Sequence, residues 1–323
     1  MRARTLGSTG LVVTEIGLGL AALGRPAYID LGRGEDLGPD RSRETMERRA
    51  HEVLDAAAQA GIRYIDAARS YGDAEAFLAS WLKLRTPTDI TVGSKWGYTY
   101  TGGWRMDADV QEVKDHSLEA LRRQLSESTA LLGDRLDLYQ IHSATLESGV
   151  LEDLAVLAEL NLLRSRGIAV GLSVSGPRQA DTIFRALEVA VDGVNPFQSV
   201  QATWNILEPS SGDALLAAHQ AGWGVIVKEA LANGRLARRP AAPRVVEHIA
   251  RRHHATADQV ALAAVLANPW ADVVLSGAVT VDQLESNVAA TAIELEAQEL
   301  AELLRSAEPA ELYWRTRAAL AWA

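Results

Sequence analysis

The 323-residue sequence contains no cysteine. Disulfides, thiolate metal sites and cysteine nucleophiles are therefore excluded, while the redox compartment stays open. Lysine is scarce as well, because only four of the 32 basic residues are lysines, at positions 83, 95, 114 and 228. Lysine is a compact charge whose pKa can move, so Lys95 and Lys228, which follow apolar segments, are candidates for a role other than solubility.

Long hydrophobic runs and a positive charge excess are also missing. No stretch approaches a membrane span and the N-terminus lacks an apolar signal region, so we expect a cytoplasmic protein. The net charge of -10 argues against a nucleic-acid or anionic-membrane partner. No repeat, low-complexity tract or linker divides the chain, which predicts one domain over residues 1–323. The oligomeric state is left open.

Short apolar segments alternate with helical periods along the chain. After a predicted hairpin at 4–14, the apolar segments are 16–20, 62–66, 90–95, 136–142, 168–173, 197–202, 224–229 and 272–277. Helices are predicted at 43–60, 73–84, 113–132, 151–165, 177–190, 212–221, 256–267 and 281–304. Continuous apolar strands between amphipathic helices are typical of a parallel sheet covered by helices.

Eight such units predict an α/β fold, a (β/α)8 TIM barrel with an N-terminal β-hairpin. A doubly wound sheet is the competing fold. It would place a glycine-rich turn after the first strand, whereas Gly17 and Gly19 lie within that strand.

Four ionisable residues stand near the C-terminal ends of three successive strands. They are Asp66 and Tyr71, Lys95, and His142. Each alone has an ordinary explanation as a cap, a packed ring or an ion pair. In a barrel, however, these strand ends meet at one mouth, where the chemistry of such folds takes place. Their joint placement therefore favours a functional site.

The chemistry of this set is proton transfer. A carbonyl that accepts hydride needs a proton on its oxygen, and Tyr71 can donate it if the ammonium of Lys95 lowers its pKa. Asp66 would hold Lys95 charged, and His142 would orient the carbonyl. The set supplies no electrons, so a separate hydride carrier is required.

The segment RYIDAARSYG (63–72) resembles the Asp-x-Ala-x-x-Tyr-Gly signature of the aldo-keto reductase family. Lys95 and His142 also lie at the strand ends that this family uses. The resemblance runs from the hairpin to about residue 290. It implies an NAD(P)-dependent oxidoreductase that interconverts an aldehyde or ketone and its alcohol, without a metal. The implied catalytic residues are Asp66, Tyr71, Lys95 and His142, with Tyr71 as the proton donor.

The resemblance also implies cofactor contacts, some of which are altered here. Ser173 matches a nicotinamide contact, but Val174 replaces the asparagine of the family. Lys228 holds the place of an aromatic residue that stacks on the nicotinamide, and it either contacts the ring or simply pairs with Glu229. The remaining implied contacts are Gln201, Leu231, Asn233, Gly234, Gly277, Gln283 and Asn287.

The expected cofactor is NADP, with NAD as the alternative. Relatives that prefer NADP place a lysine or arginine near the 2'-phosphate, whereas segment 276–290 has no basic residue. Either Thr280 and the amides of the next helix bind this phosphate, or Arg315 or Arg317 reaches it, or the protein accepts NAD.

Aromatic residues are the candidates for a substrate wall. Trp96 and Trp104 lie in the long loop 96–112, and Trp204 is an alternative platform for the nicotinamide. The tail adds Tyr313, Trp314 and Trp322. Two other functions stay open: a cofactor-binding regulatory barrel with little turnover, and a lyase or isomerase with a Schiff base on Lys95.

Overall fold

A computed structural model describes residues 1–29, 31, 33–237 and 242–322. Its strands are β1 (Ala3–Thr5), β2 (Val12–Thr14), β3 (Ile16–Gly19), β4 (Tyr64–Asp66), β5 (Thr91–Trp96), β6 (Tyr98–Tyr100), β7 (Glu112–Lys114), β8 (Leu138–Ala144), β9 (Ala169–Val174), β10 (Ser199–Thr203), β11 (Gly224–Lys228) and β12 (Val273–Ser276). Its helices are α1 (Arg33–Leu37), α2 (Arg43–Gln59), α3 (Ala74–Arg85), α4 (Leu118–Leu132), α5 (Leu154–Ser165), α6 (Gln179–Leu187), α7 (Gly212–Gln220), α8 (Arg244–Arg252), α9 (Ala257–Leu266), α10 (Val281–Ala289), α11 (Ala297–Leu304) and α12 (Ala310–Ala318).

Eight of the strands close into a parallel barrel. Their order around it is β3, β4, β5, β8, β9, β10, β11 and β12, and β12 pairs back onto β3. Strands β5, β9 and β10 are buried along their whole length, which explains why they read as continuous apolar segments. The predicted (β/α)8 barrel is confirmed, and so is the hairpin, which β1 and β2 form.

The hairpin closes the N-terminal end of the barrel. Leu6 and Val13 pack in one cluster with Tyr64 and Leu138, which lie at the starts of β4 and β8. An added Cβ at Gly224, the first residue of β11, would lie 2.4 Å from the Leu6 side chain, so the contact is close. This plug leaves the C-terminal strand ends as the face on which a site can form.

Two predicted helices differ from the structure. The helix predicted at 113–132 begins at Leu118, after the N-cap Ser117, because Glu112–Lys114 pairs with Tyr98–Tyr100 in a second hairpin. The helix predicted at 281–304 is two helices. Helix α10 ends at Ala289, and a 3-10 turn separates it from α11.

Three helices were not predicted: α1, α8 and α12. Helices α8 and α12 each follow a proline, Pro243 and Pro309, a residue common at helix starts. Helix α1 lies in the segment that joins β3 to α2, residues 20–42, here called the first loop, of which residues 30 and 32 fall outside the described residues. Within the described residues, none of the helices combines the length and apolar character needed to cross a membrane.

Candidate functional site

Asp66, a member of the predicted catalytic set, accepts hydrogen bonds from three side chains. It is the last residue of β4 and is buried. Its Oδ2 accepts a hydrogen bond from Lys95 Nζ at 2.5 Å, and its Oδ1 accepts from Gln201 Nε2 at 2.9 Å and from the Tyr64 hydroxyl at 3.2 Å. A carboxylate with several donors on rigid strands has a fixed position. Gln201, a predicted cofactor contact, thus also positions Asp66.

Lys95 lies behind Asp66, fully buried. Its ammonium also donates to the carbonyl of Ala67 at 2.8 Å and lies 4.8 Å from the centroid of the Tyr71 ring. Burial lowers the pKa of Lys95, and Asp66 opposes that shift. A Schiff base needs a lysine that a carbonyl substrate can reach, so this burial disfavours the lyase alternative.

Tyr71 retains its proton in this environment. Burial raises its pKa well above the ordinary value, the Asp66 charge raises it further, and the Arg25 guanidinium lowers it. The prediction that Lys95 lowers the pKa of Tyr71 stays a prediction, since Lys95 lies over the ring and bonds Asp66. Among the described residues, none hydrogen bonds to the Tyr71 hydroxyl, which leaves it available to a substrate oxygen.

His142 meets Tyr71 at a distortion of β8. The register with β9 shifts after Ile141, and Ser143 adopts a φ of 53°. The His142 and Tyr71 rings stand edge to face with centroids 5.4 Å apart. Burial, followed by the charges of Lys95 and other cations, lowers the pKa of His142 well below its usual value. His142 is therefore a neutral imidazole near pH 7.

Ser173 supports this distortion. Its Oγ accepts a hydrogen bond from the Ser143 backbone N–H at 2.8 Å, and the residue is fully buried in β9. Ser173 was predicted to contact the nicotinamide carboxamide, but its hydroxyl already accepts a hydrogen bond within the protein. Its role towards a cofactor stays a prediction.

One cavity, of ≈ 370 Å³, joins most of the predicted residues. Asp66, Tyr71 and His142 line it, and Lys95 and Ser173 lie behind its wall. The predicted cofactor residues that line the same cavity are Gln201, Lys228, Leu231, Asn233, Gly234, Gly277, Gln283 and Asn287. Proton-transfer groups and predicted cofactor contacts therefore share a single space.

The structure does not place Trp96, Trp104 or Trp204 on this wall. Trp96 lies within β5 rather than in the loop, so its ring is fully buried in the core. Trp104 packs on Phe77 and donates from Nε1 to the Arg41 carbonyl at 2.8 Å. Trp204 stands edge to face with Trp270, 5.6 Å between centroids. The side chains of all three tryptophans pack in or against the hydrophobic core.

Arg25 is a site residue that sequence reasoning missed. It is 2% exposed, pairs with Glu112 at 2.9 Å and lies over the rings of Tyr71 and Trp322, at 5.3 and 4.8 Å from their centroids. It also donates to the carbonyl of Ser70 at 2.9 Å. Arg25 thus ties the first loop, the second hairpin and the tail to the proton donor. Trp322 is the tail aromatic that reaches the cavity wall.

Lys228 lines the cavity at the end of β11. Its Nζ donates to the Thr203 hydroxyl at 2.9 Å and lies 3.9 Å from Glu229. Glu229 in turn accepts hydrogen bonds from Arg317 at 2.5 to 2.9 Å. Arg317 therefore clamps α12 to the end of β11, a different role from the predicted contact with a 2'-phosphate.

The other end of the cavity is suited to a phosphate. The start of α10 reaches it, and Thr280 caps this helix by accepting from Gln283 N. Open backbone lies there, since an added Cβ at Gly277 meets nothing within 4 Å. Gln283 Nε2 donates to Asp36 at 2.8 Å, which holds the first loop over this end. A helix N-terminus attracts anions, so these residues fit a dinucleotide that extends to the proton donor.

Comparisons with known proteins show which family this chain resembles. Residues 15–308 match the profile of the Aldo/keto reductase family. The chain is 27% identical to the aldo-keto reductase str7 of Strobilurus tenacellus, over 93% of this chain and 91% of str7. It is 30% identical to the uncharacterized oxidoreductase YqkF of Bacillus subtilis over 52% of this chain, and this match spans 49% of YqkF, about half its length.

The solved structure of aldo-keto reductase AKR11C1 from Bacillus halodurans, in its holo form, has the same fold. The TM-score is 0.72 at 23% sequence identity, with 96% of this chain and 97% of that chain covered. The profile match extends over most of the sequence and contains the segment RYIDAARSYG, which carried the resemblance. The prediction of the family is confirmed: this chain belongs to the Aldo/keto reductase family.

Proposed function

We propose that the protein is a nicotinamide-dependent oxidoreductase that reduces an aldehyde or ketone to its alcohol, with Tyr71 as the proton donor. One observation carries this proposal. The Tyr71 hydroxyl, backed by Lys95, Asp66 and His142, shares one cavity with the residues expected to hold a dinucleotide. A proton donor and a hydride carrier must meet at the same carbonyl, and this cavity brings Tyr71 together with the residues expected to hold the carrier.

The residues of the chain divide the proton chemistry among them. A bound nicotinamide supplies the hydride, two electrons and one proton, to the carbonyl carbon. Tyr71, protonated because its pKa is raised, donates a proton to the oxygen as the alcohol forms. The neutral imidazole of His142, beside the phenol, donates a hydrogen bond to the same oxygen.

Lys95 and Asp66 act through Tyr71 rather than on the substrate. The Lys95 ammonium over the phenol ring stabilises the electron density that grows on Tyr71 as its proton leaves. Asp66 fixes that ammonium, and Gln201 and Tyr64 fix Asp66. The tyrosinate is reprotonated from solvent before the next turnover.

Residues of three strands and of the loops that follow them would hold the cofactor. Gln201 and Lys228 would hold the nicotinamide end, Leu231 and Gly234 would provide backbone along the middle, and Gly277 with the start of α10 would bind the phosphates. The loop before Gly234 bends through positive φ values at Ala232 and Asn233, which turns its backbone to the cavity. NADP remains the expected cofactor, with NAD as the alternative.

The test is oxidation of NADPH and of NADH, followed at 340 nm, with a panel of aldehydes and ketones. We expect turnover with at least one of the two cofactors. Tyr71→Phe should lower kcat by roughly 10²- to 10⁴-fold, the usual contribution of a general acid. Its cofactor affinity, measured by fluorescence titration, should stay close to wild type. Tight cofactor binding without turnover over the whole panel would instead indicate the regulatory barrel.

A further inference from the structure

The cations around the proton donor are not equally neutralised. Arg25 pairs with Glu112 at 2.9 Å, Lys95 with Asp66 at 2.5 Å, and Arg317 with Glu229. Each of these pairs joins one cation to one carboxylate at hydrogen-bond distance.

Lys228 differs from these cations. The hydroxyl of Thr203 is the acceptor at hydrogen-bond distance, whereas Glu229 lies 3.9 Å away and already binds Arg317. The other close neighbour is the ring of Trp314, whose centroid lies 5.7 Å from Nζ. Lys228 therefore adds a positive charge to the cavity that its surroundings compensate only in part.

This charge faces the place where the reaction is proposed to occur. Strand β11 lies across the barrel from β5, and β4 and β8 flank β5, so Lys228 and the catalytic set border the mouth from opposite sides. The field of Lys228 reaches that set, since it joins burial, Lys95 and Arg25 in lowering the pKa of His142. Hydride passes between carbons in contact, so a redox ring that reduces a carbonyl at Tyr71 lies within this field.

We propose that Lys228 makes the cavity discriminate between the two redox states of nicotinamide, binding the neutral reduced ring more tightly than the cationic oxidised ring. This inference rests on the proposed function. Like charges repel strongly in a partly buried site, whereas a neutral ring feels no such repulsion. The protein then loads reduced cofactor and releases oxidised cofactor readily, which favours carbonyl reduction over alcohol oxidation.

The titration of Lys228 gives the discrimination a pH dependence. Burial lowers the pKa of Lys228 to about 8, while Glu229 and Asp66 oppose the shift and Arg317 and Lys95 add to it. Below that pKa the ammonium repels the oxidised ring, and above it the neutral amine does not. The affinity for oxidised cofactor should therefore rise with pH through this range, and that for reduced cofactor should stay nearly constant.

The experiment measures the dissociation constants of NADP+ and NADPH, and of NAD+ and NADH, by tryptophan fluorescence at pH 7 and pH 9. The pair that binds wild type more tightly is then carried through Lys228→Met, Lys228→Arg and the exposed control Lys83→Met. We expect Lys228→Met to reduce the ratio of the oxidised to the reduced dissociation constant by about tenfold at pH 7. Lys228→Arg and Lys83→Met should keep the wild-type ratio.

Each other outcome contradicts the inference. An unchanged ratio in Lys228→Met would show that Lys228 does not sense the charge of the ring. Equal weakening of both redox states would indicate a contact with a cofactor phosphate instead. If neither pair binds wild type, the proposed function fails together with the inference, whereas binding with an unchanged ratio overturns the inference alone. Retained binding of reduced cofactor also shows that Lys228→Met is folded.

Discussion

The side chain of Tyr71 has its proton in place before substrate arrives, and this sets the pH dependence of the reaction. Its pKa is raised well above 10.0 by burial first and by Asp66 second, so it is a phenol at every pH near neutrality. The pKa of His142 is lowered well below 6.5 by burial and by neighbouring cations, so it is neutral in the same range. Neither group changes its charge between about pH 6 and pH 7.5.

We therefore expect kcat for carbonyl reduction, measured with saturating cofactor, to be flat between about pH 6 and pH 7.5. Alcohol oxidation should accelerate with rising pH, since it requires the tyrosinate and a pKa above 10.0 makes that form scarce. A reduction rate that falls tenfold per pH unit across this window would mean that a group titrating near neutrality donates the proton.

Tyr64 connects the packing of the barrel interior to the catalytic set. An added Cβ at Gly93 would lie 2.3 Å from the Tyr64 hydroxyl, which donates to Asp66. Gly93→Ala should therefore displace Tyr64 and destabilise the protein by about 1–3 kcal/mol, the usual cost of overpacking. We expect kcat to fall as well, because Asp66 loses a donor. Urea unfolding and steady-state kinetics measure the two effects.

The double variant Gly93→Ala with Tyr64→Phe is the control for this prediction. Removal of the hydroxyl takes away the closest clashing atom, so the double variant should be more stable than Gly93→Ala alone. If the double variant lost as much stability as the two single variants together, Gly93 and Tyr64 would not be coupled.

The predicted catalytic residues Asp66, Tyr71 and His142 line the cavity, whereas the predicted aromatic wall does not, for a physical reason. Strand ends can be read from the points where apolar segments stop, and Asp66 lies at such an end. The last residue of a strand is harder to identify, so Trp96, which ends β5, was taken for a loop residue. Arg25 was missed because its partners Tyr71, Glu112 and Trp322 are distant in sequence and no local period marks them.

Among the elements, the terminal helix α12 is joined to the barrel in part by a largely buried ion pair. Arg317 on α12 binds Glu229, which directly follows β11. Loss of one partner of a buried pair leaves an uncompensated charge, so Arg317→Met should destabilise the protein by about 3–5 kcal/mol. Arg317→Met combined with Glu229→Gln should recover part of that loss, measured by urea unfolding at pH 7. A double variant as unstable as the sum of the singles would show that the pair is not coupled.

This pair also predicts how stability changes in acid. Burial alone raises the pKa of Glu229, but Arg317 and Lys228 outweigh it and lower the value from 4.5 to about 2. Because the folded pKa is the lower one, the stabilisation is present above pH 4.5 and is lost as the pH falls towards 2. The difference in Tm between wild type and the double variant should therefore shrink below about pH 4.5, as followed by circular dichroism.

Element boundaries were the least predictable part of the fold. The alternation of strands and helices survives small errors in the ends of each, and so the barrel could be predicted. The break between α10 and α11 could not, because the apolar period continues across the 3-10 turn Ala290–Ala292. The second hairpin, β6 with β7, is two short strands without a buried face, and strands of that kind leave little pattern.

At the scale of the whole molecule, we propose that residues 1–323 form one domain. The hairpin at the start of the barrel and the clamp of α12 both pack on barrel strands. We therefore expect a single thermal transition, with coincident curves from far-ultraviolet circular dichroism and tryptophan fluorescence. Two separated transitions would contradict a single domain.

Cofactor binding should raise the midpoint of this single thermal transition. A ligand that binds only the native state stabilises it by about 2.7 kcal/mol when its free concentration is about 100 times its dissociation constant. NADPH or NADH, whichever binds the cavity, should have this effect. We expect Tm to rise with that cofactor in differential scanning calorimetry. AMP at the same concentration is the control, and an equal shift with AMP would mean that the nicotinamide half contributes nothing.

The wall around Tyr71 has a consequence for the order in which the protein can mature during synthesis. Arg25 is translated before most of the barrel strands, yet the ring of Trp322 that covers it and the Arg317 that binds Glu229 are translated after all of them. The barrel strands are all complete by Ser276, so a nascent chain can close its barrel while the cavity wall still lacks these side chains. Translation thus supplies all strands of the barrel before the side chains that complete the cavity wall.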